Sequence, residues 1–323
     1  MANNKYVDIG ANLLDERFTE GSYRAKQRHE PDFDIVVQRA YDVGVKRIIM
    51  TAGTLEESRH AIEKVRQIRQ KKETVDNNEI MKFWCTVGVH PTRCMEFEDA
   101  PDAEEHFQSL LELAKLGKQE GIVAAVGEMG LDYDRLEFCP KDIQHKYIVK
   151  QLALAEATGL PMFLHNRNNG DDLYEVLSSN KDKWASGGGV VHSYDDSADL
   201  AAKFIDLGLF IGLNGCSLRT EENLEVVKTL PLDKILLETD CPYCDVRRTH
   251  AGYEHVKTQF ESKPEKKYEK GKCVKGRNEP CQIVQVAEVI AGVRGIALDE
   301  LADACYANSM KLYGWSEEDS NAY

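Results

Sequence analysis

Eight short apolar segments, separated by helix-like segments, constrain the fold of this chain more than any other feature of its sequence. They occupy residues 5–13, 45–53, 81–91, 122–132, 160–167, 188–194, 209–215 and 234–243. Intervening segments such as FDIVVQRAYDVG, EESRHAIEKVRQIRQ, HFQSLLELAKLGKQ and IQHKYIVKQLALAEATG carry apolar residues at helical spacing. Eight strand-helix units whose strands are apolar on both faces predict an α/β fold, a parallel sheet closed into a (β/α)8 TIM barrel.

An open, doubly wound sheet is the alternative fold. Neither G-x-G-x-x-G nor G-x-x-x-x-G-K-[ST] follows any predicted strand, which disfavours a nucleotide-binding sheet. A chain of 323 residues is within the range of a single barrel domain. We therefore expect one domain over residues 1–323, with its core at residues 5–314 and a basic loop insertion at residues 250–277.

Composition and charge restrict the class of protein. The chain is 42% hydrophobic and 30% charged, has no apolar run near the roughly 18 residues of a membrane span, and begins without the pattern of a signal peptide. Its nine cysteines, an odd number, indicate reduced thiols. These features predict a cytoplasmic or nuclear protein that does not enter a membrane.

The formal net charge of −14 disfavours a broad nucleic-acid-binding surface. A local basic segment is nevertheless present, because residues 255–280 contain eight Lys and Arg residues against four Glu residues. From charge alone, a solvated polar loop explains this segment equally well.

Polar residues end most of the predicted strands, and in a TIM barrel those ends form the active site. They are Asp8, Asn12, His90, Glu128, Asp132, His165, Arg167, His192, Glu238 and Asp240. Any one of them has an ordinary explanation as a capping or loop residue, but His90, Glu128, His165, His192 and Asp240 end five different strands. Imidazoles and carboxylates converging at one barrel mouth predict a site for a divalent ion such as Zn²⁺, Mn²⁺ or Mg²⁺.

Side-chain alternation assigns positions within two of these strands. Glu238 and Asp240 share one face, so we place Asp240 in the site and Glu238 one layer below it, orienting a ligand. Glu128 lies within its strand, whereas Asp132 belongs to the following loop.

Several ordered motifs resemble those of the TatD deoxyribonucleases, which are metal-dependent (β/α)8-barrel hydrolases. They are VDIGANL, TVGVHP, GEMGLDYDR, PMFLHNR, VVHSY, LLETDCPY and RNEP. The resemblance runs from about residue 5 to about residue 314, and flanking text such as GVHPTRC and NGCSL is similar to the eukaryotic TatD branch. By this resemblance, the metal ligands are Glu128, His165, His192 and Asp240.

The resemblance leaves a second metal position open. Many family members carry an Asp-x-His-x-His pattern on the first strand, and here Gly10 and Asn12 occupy the histidine positions. Gly offers no side-chain ligand, and a neutral amide oxygen is a weak one. We expect one firmly held ion, with any second ion supported weakly by Asp8 or Asn12.

The activity implied by the resemblance is 3′-to-5′ exonucleolytic hydrolysis of DNA, with single-stranded 3′ ends as the preferred substrate. The implied cofactor is a divalent cation, Mg²⁺ first and Mn²⁺ or Zn²⁺ next. We expect Asp240 to accept the proton of the attacking water and His90 and Arg167 to contact the phosphate. Arg277 is a further candidate for phosphate contact. Asn278, also assigned to substrate binding, is predicted to cap the next helix and present the basic loop.

Three alternatives remain open. Cys241-Pro242-Tyr243-Cys244 is a C-x-x-C motif, but it follows the eighth predicted strand rather than the first strand of a thioredoxin-like fold. An amidohydrolase or phosphotriesterase acting on a small substrate commonly has a modified Lys at the end of strand four, where this chain has Glu128. A non-enzymatic nucleic-acid-binding scaffold is the third alternative, and the sequence predicts no particular protein partner.

Overall fold

Eight strands in one sheet confirm the eight predicted strands. The computed structural model describes residues 4–73 and 81–316. The strands are β1 (Tyr6–Ala11), β2 (Val45–Met50), β3 (Lys82–Val87), β4 (Val123–Asp132), β5 (Met162–Arg167), β6 (Gly189–His192), β7 (Phe210–Leu213) and β8 (Ile235–Leu237). Each strand neighbours the next one in the sequence, whereas a doubly wound sheet reverses its strand order. The order is therefore that of the predicted (β/α)8 barrel.

Helices connect the strands, as the helical spacing predicted. Within the described residues, the helices are α1 (Glu16–Thr19), α2 (Phe33–Asp42), α3 (Leu55–Glu73), α4 (Met95–Asp99), α5 (Ala103–Gln119), α6 (Lys141–Thr158), α7 (Asp172–Ser179), α8 (Lys181–Trp184), α9 (Ala198–Leu207), α10 (Glu221–Thr229), α11 (Ile283–Arg294) and α12 (Leu298–Tyr313). Two short strand pairs were not predicted: Ser22–Tyr23 with Lys26–Gln27, and Ser262–Lys263 with Cys273–Val274. Two-residue pairs leave almost no periodicity to detect.

Contacts divide the chain into two compact units. The first unit comprises the described parts of residues 1–50, 193–197 and 212–309, and the second unit those of residues 51–192, 198–211 and 310–323. The second unit contains β3 to β6, and the first contains β1, β2 and β8. The one-domain organisation stays a prediction.

Helix α11 of the first unit begins with a buried stretch, since Ile283–Ala291 are all buried. A helix that is apolar on all sides has to lie inside the protein. A 3₁₀ turn, Pro280–Gln282, precedes it, and the side chains of Glu279 and Gln282 bond reciprocally to each other's backbone N–H groups. The predicted cap at Asn278 is therefore wrong by one residue, because Glu279 is the capping residue and the Asn278 amide nitrogen donates to the Thr239 and Tyr243 carbonyls.

No single helix of the described ranges 4–73 and 81–316 has both the length and the apolar character needed to span a membrane. One bent pair, Pro280–Arg294 with Leu298–Tyr313 at 114°, meets that test of length and composition together.

Candidate metal centre

Strand β4 brings Glu128 into the second unit's cluster of polar residues through an irregular stretch of backbone. Its pairing with β5 shifts between Val126 and Met129, where β4 contains one residue more than its partner. Such a bulge redirects a side chain. The bulge needs a glycine at position 127. Gly127 has φ of 138°, and a Cβ there would collide with the carbonyl oxygen of Phe163.

Three imidazoles surround one carboxylate oxygen, Oε1 of Glu128. His192 Nε2 lies 2.7 Å from it, His165 Nδ1 2.9 Å and His90 Nε2 3.4 Å. His165 and His192 come from the ends of β5 and β6, and His90 follows β3. The structure thus brings together four residues that the sequence placed at separate strand ends.

Asp132 is a fifth member of this cluster. Its Oδ2 atom lies 3.2 Å from His165 Nε2, so the two nitrogens of His165 face two different carboxylates. The prediction that Asp132 belongs to a loop was wrong, because β4 continues through Asp132 and buries it. The sequence signal was present, because Asp132 is four positions after Glu128 and an even offset puts both side chains on one strand face, but the GLDYDR motif suggested a turn.

Opposing electrostatic effects set the pKa values of the residues in this cluster. Burial raises the pKa of Glu128, but the imidazoles of His192, His90 and His165 outweigh it and hold that pKa well below its usual value. Burial lowers the pKa of His90. Burial also acts to lower the pKa of His165, but hydrogen bonds to Asp132 and Glu128 raise it overall. Glu128 is therefore ionised and available as an anionic ligand.

The donor set fits a divalent metal ion. One ligand atom each from His90, Glu128 and His165 lies within 4.8 Å of the others, and His192 Nε2 lies on the same Glu128 oxygen. Imidazole nitrogen and carboxylate oxygen are the ligands that Zn²⁺ and similar ions take in hydrolases. Asp132 behind His165 matches the carboxylate–imidazole–metal arrangement that orients a ligand.

Asp240 lies in the first unit, beyond the end of β8. Its φ of 53° belongs to a turn and not to a strand. The prediction from side-chain alternation had assumed an extended backbone at Asp240. Asn12 Nδ2 donates to its Oδ1 atom over 2.8 Å, and the Cys244 thiol donates to its Oδ2 atom over 3.2 Å. Each carboxylate oxygen of Asp240 thus accepts a hydrogen bond from this unit.

Similarity to known proteins extends over most of this chain. The model of the TatD related DNase family matches residues 7–314. A deoxyribonuclease Tat-D of Schizosaccharomyces pombe is 41% identical over 311 residues, which is 95% of each chain. The chain belongs to the TatD-related DNase family.

Two further relatives agree with this membership. The crystal structure of a TatD family hydrolase from Entamoeba histolytica matches this TatD-family chain with a TM-score of 0.85 and 35% identity, over 96% of this chain and 98% of that one. A Shigella flexneri protein named 3′-5′ ssDNA/RNA exonuclease TatD is 29% identical over 310 residues, 95% of this chain and 98% of the relative. The recognised family and the TIM-barrel fold class are both confirmed.

In the first strand, the Asp8 carboxylate forms hydrogen bonds inside the protein. Asp8 is fully buried and accepts hydrogen bonds from Thr239 N at 2.9 Å and Thr239 Oγ1 at 2.6 Å. Burial raises its pKa to about 7. Asn12 directs its amide nitrogen to Asp240. A second-metal role for Asp8 or Asn12 stays a prediction.

Glu238 lies fully buried below this turn. Its Oε1 atom accepts hydrogen bonds from Ser193 N and, at 3.0 Å, from Asn214 Nδ2. It therefore connects the segments that follow β6 and β7 within the first unit.

Arg167 and Arg277, the two predicted phosphate contacts, lie in different surroundings. Arg167 ends β5, half-buried and two residues after His165. The Arg277 side chain has no exposed surface, and its guanidinium donates to both oxygens of Asp32 at 2.8 and 2.7 Å and to Glu279 at 3.0 Å. Buried and paired in this way, Arg277 connects separate segments of the first unit, and its role as a phosphate contact stays a prediction.

Asn278 is likewise internal. Its Nδ2 atom donates to the carbonyl oxygens of Thr239 at 2.8 Å and Tyr243 at 2.7 Å. Both carbonyls flank the turn that contains Asp240, so Asn278 positions that turn. The basic loop itself is mixed, since Lys272 pairs with Glu261 and Glu269.

Proposed function

We propose that this TatD-family chain is a metal-dependent deoxyribonuclease, a hydrolase that cleaves phosphodiester bonds of DNA. The observation that carries the proposal is the convergence of three imidazoles on Oε1 of Glu128. The name of the Schizosaccharomyces pombe relative, a deoxyribonuclease, supports DNA as the substrate class.

The proposed ligands are Glu128, His165, His192 and Asp240. A bound divalent cation would acidify a water molecule and stabilise negative charge on the phosphoryl oxygens. Asp132 bonds to His165 and fixes the orientation of that ring. Two imidazole ligands fit Zn²⁺ or Mn²⁺ better than the Mg²⁺ that the resemblance implied, because Mg²⁺ prefers oxygen ligands.

Asp240 is the proposed proton acceptor. Its carboxylate receives one hydrogen bond from the Asn12 amide and one from the Cys244 thiol, and these contacts fix its orientation. A carboxylate held in this way is suited to take a proton from a water molecule. Its assignment as metal ligand and base rests on its position after β8 in the LLETDCPY motif.

His90 and Arg167 are the proposed phosphate contacts. Of the three imidazoles, His90 is the farthest from Glu128. Its Nδ1 atom accepts a hydrogen bond from Thr92 N over 3.2 Å, which places the ring proton on Nε2 as a donor. Arg167 offers the bidentate fork that suits phosphate.

The proposed polarity is 3′ to 5′, with a preference for single strands. The name of the Shigella flexneri relative supports both features, and it includes RNA. The test is a 5′-labelled single-stranded oligonucleotide incubated with Zn²⁺, Mn²⁺ or Mg²⁺, beside duplex and RNA versions. We expect a ladder that shortens from the 3′ end and disappears with EDTA.

Variants make this test specific. Glu128→Gln and Asp240→Asn should remove cleavage, whereas Asp172→Asn, at a half-exposed ion pair on the second unit, should retain it. Full cleavage in EDTA or by Glu128→Gln would overturn the metal mechanism. Cleavage of an amide or phosphotriester panel in place of DNA would favour the small-substrate alternative, and DNA binding without cleavage would favour the scaffold. Localisation to cytoplasm or nucleus stays a prediction, to be checked by imaging the tagged full-length chain.

A further inference from the structure

Two thiols of the first unit lie in direct contact beside Asp240. The Sγ atoms of Cys216 and Cys244 are 2.8 Å apart. Cys216 begins the 3₁₀ turn Cys216–Leu218 after β7, and Cys244 lies four residues after Asp240. Cys244 thus contacts Cys216, although the C-x-x-C motif pairs it in sequence with Cys241.

The backbone holds these two thiols in place. Gly215 packs so closely on the Cys244 carbonyl that a Cβ would collide with it. Cys216 N donates to Asn214 Oδ1 over 2.8 Å, and Asn214 is buried against Ser193 and Glu238. Since both segments are fixed, the sulfur atoms need little movement to bond.

Accessibility separates this pair from the other cysteines. All nine lie within the described residues and are thiols; Cys216 and Cys244 are half-buried, and the other seven are buried. Cys273 and Cys281 also contact each other, but both are buried, and Cys273 receives a hydrogen bond from Arg39. An oxidant in solution therefore reaches the Cys216–Cys244 pair first.

We propose that Cys216 and Cys244 are a reversible oxidation site, which closes to a disulfide when the protein meets a hydroperoxide. One thiol loses its proton, and the resulting thiolate attacks the O–O bond of hydrogen peroxide and becomes a sulfenic acid; the released hydroxide takes up that proton as water. The second thiol then displaces the hydroxyl group of the sulfenic acid as water, so two thiols and one peroxide yield one disulfide and two waters. A dithiol reductant reverses the reaction by thiol–disulfide exchange.

The disulfide changes the environment of Asp240. The Cys244 thiol donates a hydrogen bond to Oδ2 of Asp240, and a disulfide sulfur carries no proton to donate. Oxidation therefore removes one of the two hydrogen bonds that we described on this carboxylate. Oxidation therefore also slows DNA cleavage reversibly, a consequence that rests on the proposed function.

Peptide mapping of the full-length protein tests the site without reference to activity. After treatment with substoichiometric hydrogen peroxide, non-reducing digestion and mass spectrometry should find the Cys216 and Cys244 peptides joined, with two fewer titratable thiols per chain. Cys216→Ser should abolish this cross-link, and Cys281→Ser, the control at the buried pair, should retain it. A missing cross-link, or one that joins Cys241 to Cys244, would overturn the proposal.

Activity is measured on the same samples. We expect peroxide to slow wild-type cleavage of single-stranded DNA about tenfold, dithiothreitol to restore it, and Cys216→Ser to cleave at the untreated rate with or without peroxide. Cys216→Ala, matched by its melting temperature, repeats the test if the serine variant folds poorly. A cross-link with unchanged cleavage would overturn the coupling to Asp240. A cross-link in a protein that never cleaves DNA would overturn the proposed function and leave the oxidation site standing.

Discussion

Two buried glutamates, one in each unit, have different kinds of partner. Glu128 of the second unit accepts contacts from the imidazoles of His90, His165 and His192. Glu279 of the first unit is paired with two guanidinium groups, Arg277 at 3.0 Å and Arg39 at 3.4 Å. Both glutamates belong to clusters of potential metal ligands, since Glu279 lies with Cys273 and Cys281.

Imidazole partners are typical of a metal centre, whereas guanidinium partners form a structural ion pair. A neutral imidazole has a lone pair to give to a metal ion, whereas a guanidinium has none and remains charged. At Glu279 the cation is therefore already supplied by the protein, and a metal ion would have to displace it. Proximity of ligand atoms alone does not identify a metal site; the charge of the surrounding groups decides.

The largest effect is expected from Glu128→Gln. The substitution removes the anionic ligand that three imidazoles surround. Several kcal/mol of transition-state stabilisation should therefore be lost. The cleavage rate should fall by roughly 10³-fold. Bound metal per chain, measured after dialysis, should fall with it. Glu279→Gln is the matched control, and the comparison fails if it lowers metal content per folded chain equally.

Arg277→Met should mainly reduce stability. It leaves Asp32 and Glu279 buried without their shared cation, and breaking one partner of a buried ion pair costs about 3–5 kcal/mol. Urea unfolding followed by circular dichroism measures the loss, with the exposed Arg248→Met as control. An unchanged midpoint would mean that the first unit does not depend on this cation.

Asp132→Asn should weaken metal binding without abolishing it. The amide nitrogen of Asn cannot accept the hydrogen bond that His165 Nε2 directs to Oδ2, and loss of such an orienting partner lowers metal affinity about 10- to 100-fold. Competition with a chelating dye measures the affinity. Asp134→Asn, two residues away and exposed, should leave it unchanged; equal effects of both would remove Asp132 from the centre.

The smallest expected effect is on stability, from the Asp172 carboxylate near the surface. Hydrogen bonding to Lys141 lowers the pKa of Asp172 from 3.8 to about 2. Because the folded value is the lower one, its stabilisation is present above about pH 4 and is lost as the pH falls through 2. Solvent screening limits it to less than about 1 kcal/mol. Asp172→Asn should therefore unfold slightly more easily at pH 7 but not at pH 2, with exposed Asp206→Asn as control.

Much of the site followed from sequence because strand ends are local features. Apolar runs located all eight sheet strands, and the polar residues that end them included His90, Glu128, His165 and His192, which lie together. Asp132 was assigned to the loop after β4, although β4 runs for ten residues and ends at Asp132. The even offset from Glu128 favoured one strand face and the GLDYDR motif favoured a turn; pairing with β5 decided between them.

The sequence by itself determined the order of strands and helices and which side chains stand at the strand ends, because hydrophobic periodicity acts over a few residues. Only the tertiary structure decided the partners: Asp32 for Arg277, Cys216 for Cys244, Asn12 for Asp240. These pairs are separated by 28 to 245 residues. Their contacts depend on how distant segments pack, which a local pattern of charge or polarity does not contain.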